Sequence, residues 1–142
     1  MRVMPVSIWS RTMSSVRAIV AGHGTFAEGM LSAIEQITGR SDLFIGVTNR
    51  DLSAVDVEQL LRDRLATSGA NVIFTDLPAG SCTMAARRIQ REQPDLQVVM
   101  GANLATLLDF AFHAEAGDAD AVEHAAEKGR AALVVTGVKR GA

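Results

Sequence analysis

Short apolar runs alternate along this chain with stretches whose apolar residues recur every three or four positions. Val16 to Ala21 reads as a first strand. Thr25 then stands three residues before Glu28, the spacing of a capping box. Phe26, Met30, Ala33, Ile34 and Ile37 follow at helical spacing, and Gly39 is a fitting stop. Leu43 to Val47 reads as a second strand. Ser53 and Asp56 repeat the capped start, Val57, Leu60, Leu61 and Leu65 form the apolar stripe, and Gly69 closes that helix. Val72 to Thr75 is the third strand. Ser81 is positioned as an N-cap, with Ala85, Ala86 and Ile89 inward and Pro94 marking the end. Leu96 to Met100 is the fourth strand. Gly101 and Asn103 lead into a helix carrying Leu104, Leu107, Leu108, Ala111 and Phe112. A last helix runs from about Asp118 to Arg130 with Val122, Ala125 and Ala126 inside, and Leu133 to Thr136 reads as a short final strand.

Strands alternating with helices define parallel βαβ units with right-handed crossovers. Val72-Ile73-Phe74 is apolar without alternation, as befits a strand covered on both faces. The expected fold is therefore α/β, an open doubly wound sheet of about four parallel strands flanked by helices. The length of 142 residues suits a single domain. That domain is expected over residues 16–142, behind a disordered N-terminal extension of residues 1–15 that contains Trp9.

A hydrophobic fraction of 48% with 21% charged residues excludes a disordered chain. The formal net charge of -2 argues against nucleic acid as a partner. Arg87, Arg88 and Arg91 read as a solvated helix face, with an acidic partner surface as the alternative. The lone cysteine, Cys82, excludes a disulfide within the chain, which is compatible with a cytoplasmic location. No apolar run approaches the length of a membrane span.

In an open α/β sheet, ligands bind beyond the carboxyl ends of the strands, near a topological switch point. His23 follows strand one, between Gly22 and Gly24. Asp76 follows strand three, and Gly101 and Asn103 follow strand four. If strands one and three are neighbours, His23 and Asp76 meet across the crevice. Asp76 then fixes the imidazole tautomer and supports positive charge on the ring. Gly80 and Ser81 open a helix whose free N–H groups favour an anion. Histidine, carboxylate and anion-binding turn together suit transient phosphorylation of histidine. Taken singly, each has a plain alternative: His23 and Asp76 as turn residues, Ser81 as a cap, the glycines as turn geometry. His113 and His124 read as surface or packing residues. Cys82 reads as a small residue in a capped helix. No ligand set for a metal is evident, and neither GxxxxGK[ST] nor GxGxxG is present.

From Val16 to Gly137 the chain resembles the mannose-type IIA proteins of the bacterial phosphoenolpyruvate-dependent sugar phosphotransferase system. The resemblance rests on Ile19-Val20-Ala21-Gly22-His23-Gly24 with Ala27-Glu28-Gly29-Met30. It also rests on Phe74-Thr75-Asp76-Leu77 with Gly80-Ser81, and on Met100-Gly101-Ala102-Asn103-Leu104. It implies that His23 is the phosphorylated residue, that Asp76 supports it, and that Gly24, Gly80 and Ser81 border the phosphoryl group. It implies HPr as donor, a IIB component as acceptor, and the membrane IIC and IID components as indirect partners. No cofactor is expected. It further implies a homodimer in which a C-terminal strand, here around Leu133 to Thr136, is exchanged. The family loop Gly-Gly-Ser/Thr-Pro is replaced by Ala79-Gly80-Ser81-Cys82, and Ala105 stands where a proline usually follows the asparagine segment. The Gly-His-Gly-x-Phe-Ala-x-Gly-Met and Thr-Asp-Leu pieces look closest to members handling N-acetylgalactosamine or related amino sugars. Two rival readings keep a histidine site: the phosphoryl-donor subunit of dihydroxyacetone kinase, and a regulatory module that senses phosphorylation without passing it on. A third is an α/β ligand-binding domain that is never phosphorylated.

Overall fold

The computed structural model describes residues 15–141. The extension expected over residues 1–15 lies outside the described residues except for Ser15, as does Ala142. The sheet has four strands: β1 (Ala18–Gly22), β2 (Phe44–Thr48), β3 (Val72–Thr75) and β4 (Gln97–Met100). All pair in parallel, in the order β2-β1-β3-β4. Five helices connect or follow them: α1 (Phe26–Thr38), α2 (Ala54–Ser68), α3 (Ser81–Glu92), α4 (Leu104–Glu115) and α5 (Ala121–Ala132). A single 3-10 turn, Ser41–Leu43, precedes β2 and takes the first residue of the expected second strand.

Strand β1 explains how the layers form. Ala18, Ile19, Val20 and Ala21 are all fully buried, and alternate residues point to opposite faces. Ala18 and Val20 join Phe74, Ile34, Leu107 and Phe110 in a core beneath α1, α4 and α5. Ile19 and Ala21 join Ile73, Val57, Leu61, Ala85 and Ile89 beneath α2 and α3. On the first face the Phe110 ring meets Phe74 edge-on, with centroids 5.0 Å apart, a favourable arrangement for two quadrupoles. Among the described residues, no helix is long and apolar enough to cross a membrane.

Helices α1 and α2 end at Gly39 and Gly69, both left-handed, as expected. The Ser53 side chain accepts from the Asp56 amide, so that cap is formed as read. Other expectations are corrected. Thr25 precedes α1 without capping it, because the preceding turn closes through the Phe26 amide donating to the His23 carbonyl. Helix α5 starts at Ala121 rather than near Asp118, because the Asp118 carboxylate is engaged in a turn with the Asp120 amide. Leu133 to Thr136 form no strand within the chain. Leu133, Val134 and Val135 are exposed by 82%, 71% and 93%, and among the described residues no strand pairs with them.

Candidate functional site

The sheet order puts β1 next to β3, with β2 beyond one and β4 beyond the other. The connections reverse direction at that point, which opens a crevice at the carboxyl edge. His23 stands on its β1 side and Asp76 on its β3 side. One carboxylate oxygen of Asp76, Oδ2, accepts from the His23 backbone amide at 2.8 Å and lies 2.8 Å from His23 Nδ1. An ionised carboxylate only accepts, so Nδ1 carries the proton and, in the neutral ring, Nε2 keeps a lone pair. The Asp76 side chain is 11% exposed and that of His23 50%. Burial pushes the Asp76 carboxyl up. The His23 amide, ring and charge outweigh that and hold it below the usual carboxylate range. Its second oxygen, Oδ1, is buried with no hydrogen-bond partner.

Two glycines let these groups approach. A Cβ on Gly22 would lie 2.8 Å from Asp76 Oδ2 and 2.7 Å from the Phe26 ring. A Cβ on Gly80 would lie 2.9 Å from His23 Cε1 and 3.3 Å from Nε2, and Gly80 has φ +104. The free nitrogen of His23 therefore lies against the backbone that starts α3. Gly80, not Ser81, is the N-cap of that helix. Ser81 is its first residue, and its Oγ accepts from Asn49 Nδ2 at 2.8 Å. A hydroxyl that accepts this bond still has its own proton to donate.

The loop between β3 and α3 is fixed from beneath. Thr83 Oγ1 donates to the Leu77 carbonyl at 2.6 Å and lies 2.7 Å from Thr75 Oγ1. Both threonines are buried. Cys82 is also buried, and desolvation with the Asp76 charge pushes its thiol up to about 11. Its place in the first helical turn therefore does not make it a reactive thiolate.

Gly24 turns the chain from β1 into α1 with φ +52, and a Cβ there would lie 3.8 Å from Arg50 Nη2. Thr48 Oγ1 donates to the Gly24 carbonyl at 2.8 Å. Thr48, Asn49 and Arg50 thus join the site from the end of β2. The apolar pattern does not single them out, although the strand-end rule that selects His23 and Asp76 applies equally to β2. Asn103 is on the same edge but serves packing: Oδ1 accepts from the Thr106 amide, and Nδ2 donates to the Gly129 carbonyl. Of the arginine face, Arg88 bonds Glu58 at 2.6 Å, while Arg87 and Arg91 stay exposed. His113 and His124, read as surface or packing residues, converge on Asp109 between α4 and α5.

The parallel α/β sheet thus carries an imidazole–carboxylate pair at its switch point, with a helix N-terminus, where anions are favoured, against the free nitrogen. The chain belongs to the family of PTS system fructose IIA components, whose sequence model matches residues 17–127. It is thus a component of a sugar phosphotransferase system. No curated protein matches it in sequence. A phosphotransferase system component EIIA from Streptococcus agalactiae has a similar structure, with a TM-score of 0.75 at 22% identity, covering 84% of this chain and 96% of that one. The mannose/sorbose specific IIA subunit from Enterococcus faecalis gives 0.72 at 22% identity, covering 88% and 97%. The IIA protein associated with the fucose utilization operon of Streptococcus pneumoniae gives 0.73 at 20%, covering 84% and 91%. At these identities the three likenesses speak for the fold.

Proposed function

We propose that His23 is a transient phosphohistidine, loaded from phospho-HPr and discharged to a IIB component, in the cytoplasm. The observation that carries this reading is the double hold of Asp76 Oδ2 on the His23 amide and Nδ1. It leaves Nε2 as the nucleophile, and half of the side chain is open to a macromolecular donor. Nε2 attacks phosphorus as the bond to the donor imidazole breaks, and that bond's electron pair returns to the donor nitrogen. The ring gains positive charge, which the Asp76 carboxylate offsets through the Nδ1 proton. The phosphoryl oxygens face the Gly80–Ser81 start of α3, where backbone amides, the helix dipole and the Ser81 hydroxyl donate. Gly24 leaves room on the opposite side. Transfer to a IIB histidine reverses these steps. The sugar then taken up through IIC and IID is an amino sugar of the N-acetylgalactosamine type on the motif pieces given above.

A homodimer belongs to the same reading. The exposed apolar residues after α5 and the open edge of β4 are the complementary parts of a strand exchange. Incubation with phosphoenolpyruvate, enzyme I and HPr should give an acid-labile phosphoprotein, and His23→Ala should abolish the label. Label persisting in that variant assigns the phosphate elsewhere. Discharge of the labelled protein to a dihydroxyacetone kinase rather than to a IIB protein would replace the acceptor named here.

A further inference from the structure

Away from the His23 crevice, four side chains converge where α4 packs on α5. Asp109 and His113 are four residues apart on α4, hence on one face of that helix. His124 faces them from α5, and Asp118 comes from the connecting loop. His124 Nδ1 lies 2.7 Å from Asp109 Oδ2. His113 Nε2 lies 3.6 Å from Asp109 Oδ1, and His113 Nδ1 lies 3.2 Å from Asp118 Oδ2. One ligand atom each from Asp109, His113 and His124 falls within a common 4.8 Å. The Asp109 side chain is 14% exposed, that of His113 23%.

Both ring nitrogens of His113 face carboxylates. If the neutral ring turns its Nδ1 proton towards Asp118, 3.2 Å away, a lone pair on Nε2 faces a carboxylate oxygen, which also only accepts. Two acceptors facing each other at 3.6 Å repel unless a cation, a ring proton or a bound metal ion, stands between them. The separation is too long for a hydrogen bond. It is close to the roughly 3.3–3.5 Å edge between two ligands of a tetrahedral ion with bonds of about 2.0–2.2 Å. An imidazole that ligates through one nitrogen while its other N–H is held by a carboxylate is the usual arrangement around a protein-bound metal.

We propose that Asp109, His113 and His124 bind a divalent transition ion of the zinc type, with Asp118 orienting His113. His113 ligates through Nε2, His124 through Nδ1 and Asp109 through its carboxylate, with water in the fourth position. On binding, His124 moves its proton from Nδ1 to Nε2, so the charge of the ion is met by Asp109. Two imidazoles and one carboxylate favour zinc over magnesium or calcium, which prefer oxygen ligands. The ion pins the two helices from which the C-terminal segment departs. Asp109 lies five residues into α4 and His113 nine, on a helix that runs away from the carboxyl edge. The site is therefore a turn or more removed from that edge, and it does not depend on the function proposed for His23.

The test is titration of the untagged full chain with Zn2+ alone, followed by calorimetry and thermal melting, and with Co2+ followed by visible absorption. One ion per chain, a raised melting temperature and the intense d–d bands of a four-coordinate cobalt site are expected. His124→Ala, at an exposed position, and Asp109→Asn should each weaken Zn2+ binding by more than 100-fold. Asp118→Asn should weaken it about 10- to 100-fold. His23→Ala should bind like the parent. Far-ultraviolet dichroism without metal confirms that each variant folds. Failure of the parent chain to bind at millimolar Zn2+ overturns the proposal. So does binding that survives in folded His124→Ala, or that is lost in His23→Ala.

Discussion

Asp76 does two things with one atom. Its Oδ2 holds the His23 main chain and the His23 ring together, so the position and the tautomer of the imidazole depend on one carboxylate oxygen. Asp76→Asn keeps the shape and removes the charge. The amide oxygen, in the place of Oδ2, still accepts from the His23 N–H and from Nδ1–H. The positive charge that develops on the ring during transfer is then no longer offset. Phosphoryl transfer from phospho-HPr should fall roughly 10²- to 10⁴-fold, the range for losing one acid–base contribution. The ring nitrogen shifts in NMR should still report the parent's tautomer. Unchanged kinetics with the charge removed would take the Asp76 carboxylate out of the mechanism. The pH dependence carries a sign. Because the folded-state carboxyl titrates below its unfolded value of about 3.9, its contribution to stability is full above that pH. It is lost as pH falls through the lower, folded value. Acid denaturation of Asp76→Asn should therefore show a smaller loss between neutral pH and pH 3 than the parent.

At the scale of elements, the helices differ in how much room they leave. Gly129 in α5 packs against the start of α4, where an added Cβ would collide with Thr106 Oγ1 and lie 3.2 Å from Asn103 Oδ1. Those two atoms form the cap of α4. Gly129→Ala gains about 1 kcal/mol of helix propensity. Against this stand overpacking of about 1–3 kcal/mol and about 1 kcal/mol for the disturbed cap. The net is a loss of about 1–3 kcal/mol, read as a lower denaturation midpoint. Gly29 in α1 is the opposite case, since a Cβ there meets nothing within 4 Å. Gly29→Ala should stabilise by about 0.5–1 kcal/mol. The same contrast explains what the pattern of residues could reveal. The Val72–Thr75 strand was legible to the residue because its apolar run is bounded by Asn71 and Asp76. The ends of α1 and α2 were legible because Gly39 and Gly69 carry their own stop signal. The crevice was legible because βαβ order alone places His23 and Asp76 on one edge. The caps were less so: Thr25 and Ser81 have the right chemistry, but the His23 carbonyl and Asn49 compete for the same groups. Asn49 was within reach of the same strand-end rule, since it follows β2, but the apolar pattern does not mark it. The His113–His124 pair was hidden because its members lie 11 residues apart on two helices, away from any strand end.

The whole molecule leaves one demand unanswered within a single chain. Its sheet ends at β4, which has β3 on one side and, among the described residues, no strand on the other. Beyond α5, Leu133, Val134, Val135 and Val138 are all more than 70% exposed. A free strand edge and an apolar extended segment invite pairing, and each apolar side chain withdrawn from water is worth about 1.5–3 kcal/mol. The sheet of the same chain does not take the segment up, and in the homodimer proposed above a second copy supplies the edge. The full chain should then run at twice the monomer mass in light scattering. A chain ending at Ala132 should run as a monomer with unchanged helix content, because α5 already closes the core through the buried Ala121 and Ala125. Val134→Asp, which places a charge in the exchanged strand without shortening it, should shift the full chain towards monomer in the same measurement. A parent chain that is monomeric at micromolar concentration, or a truncated chain that remains dimeric, would place any contact between copies elsewhere than on the C-terminal segment.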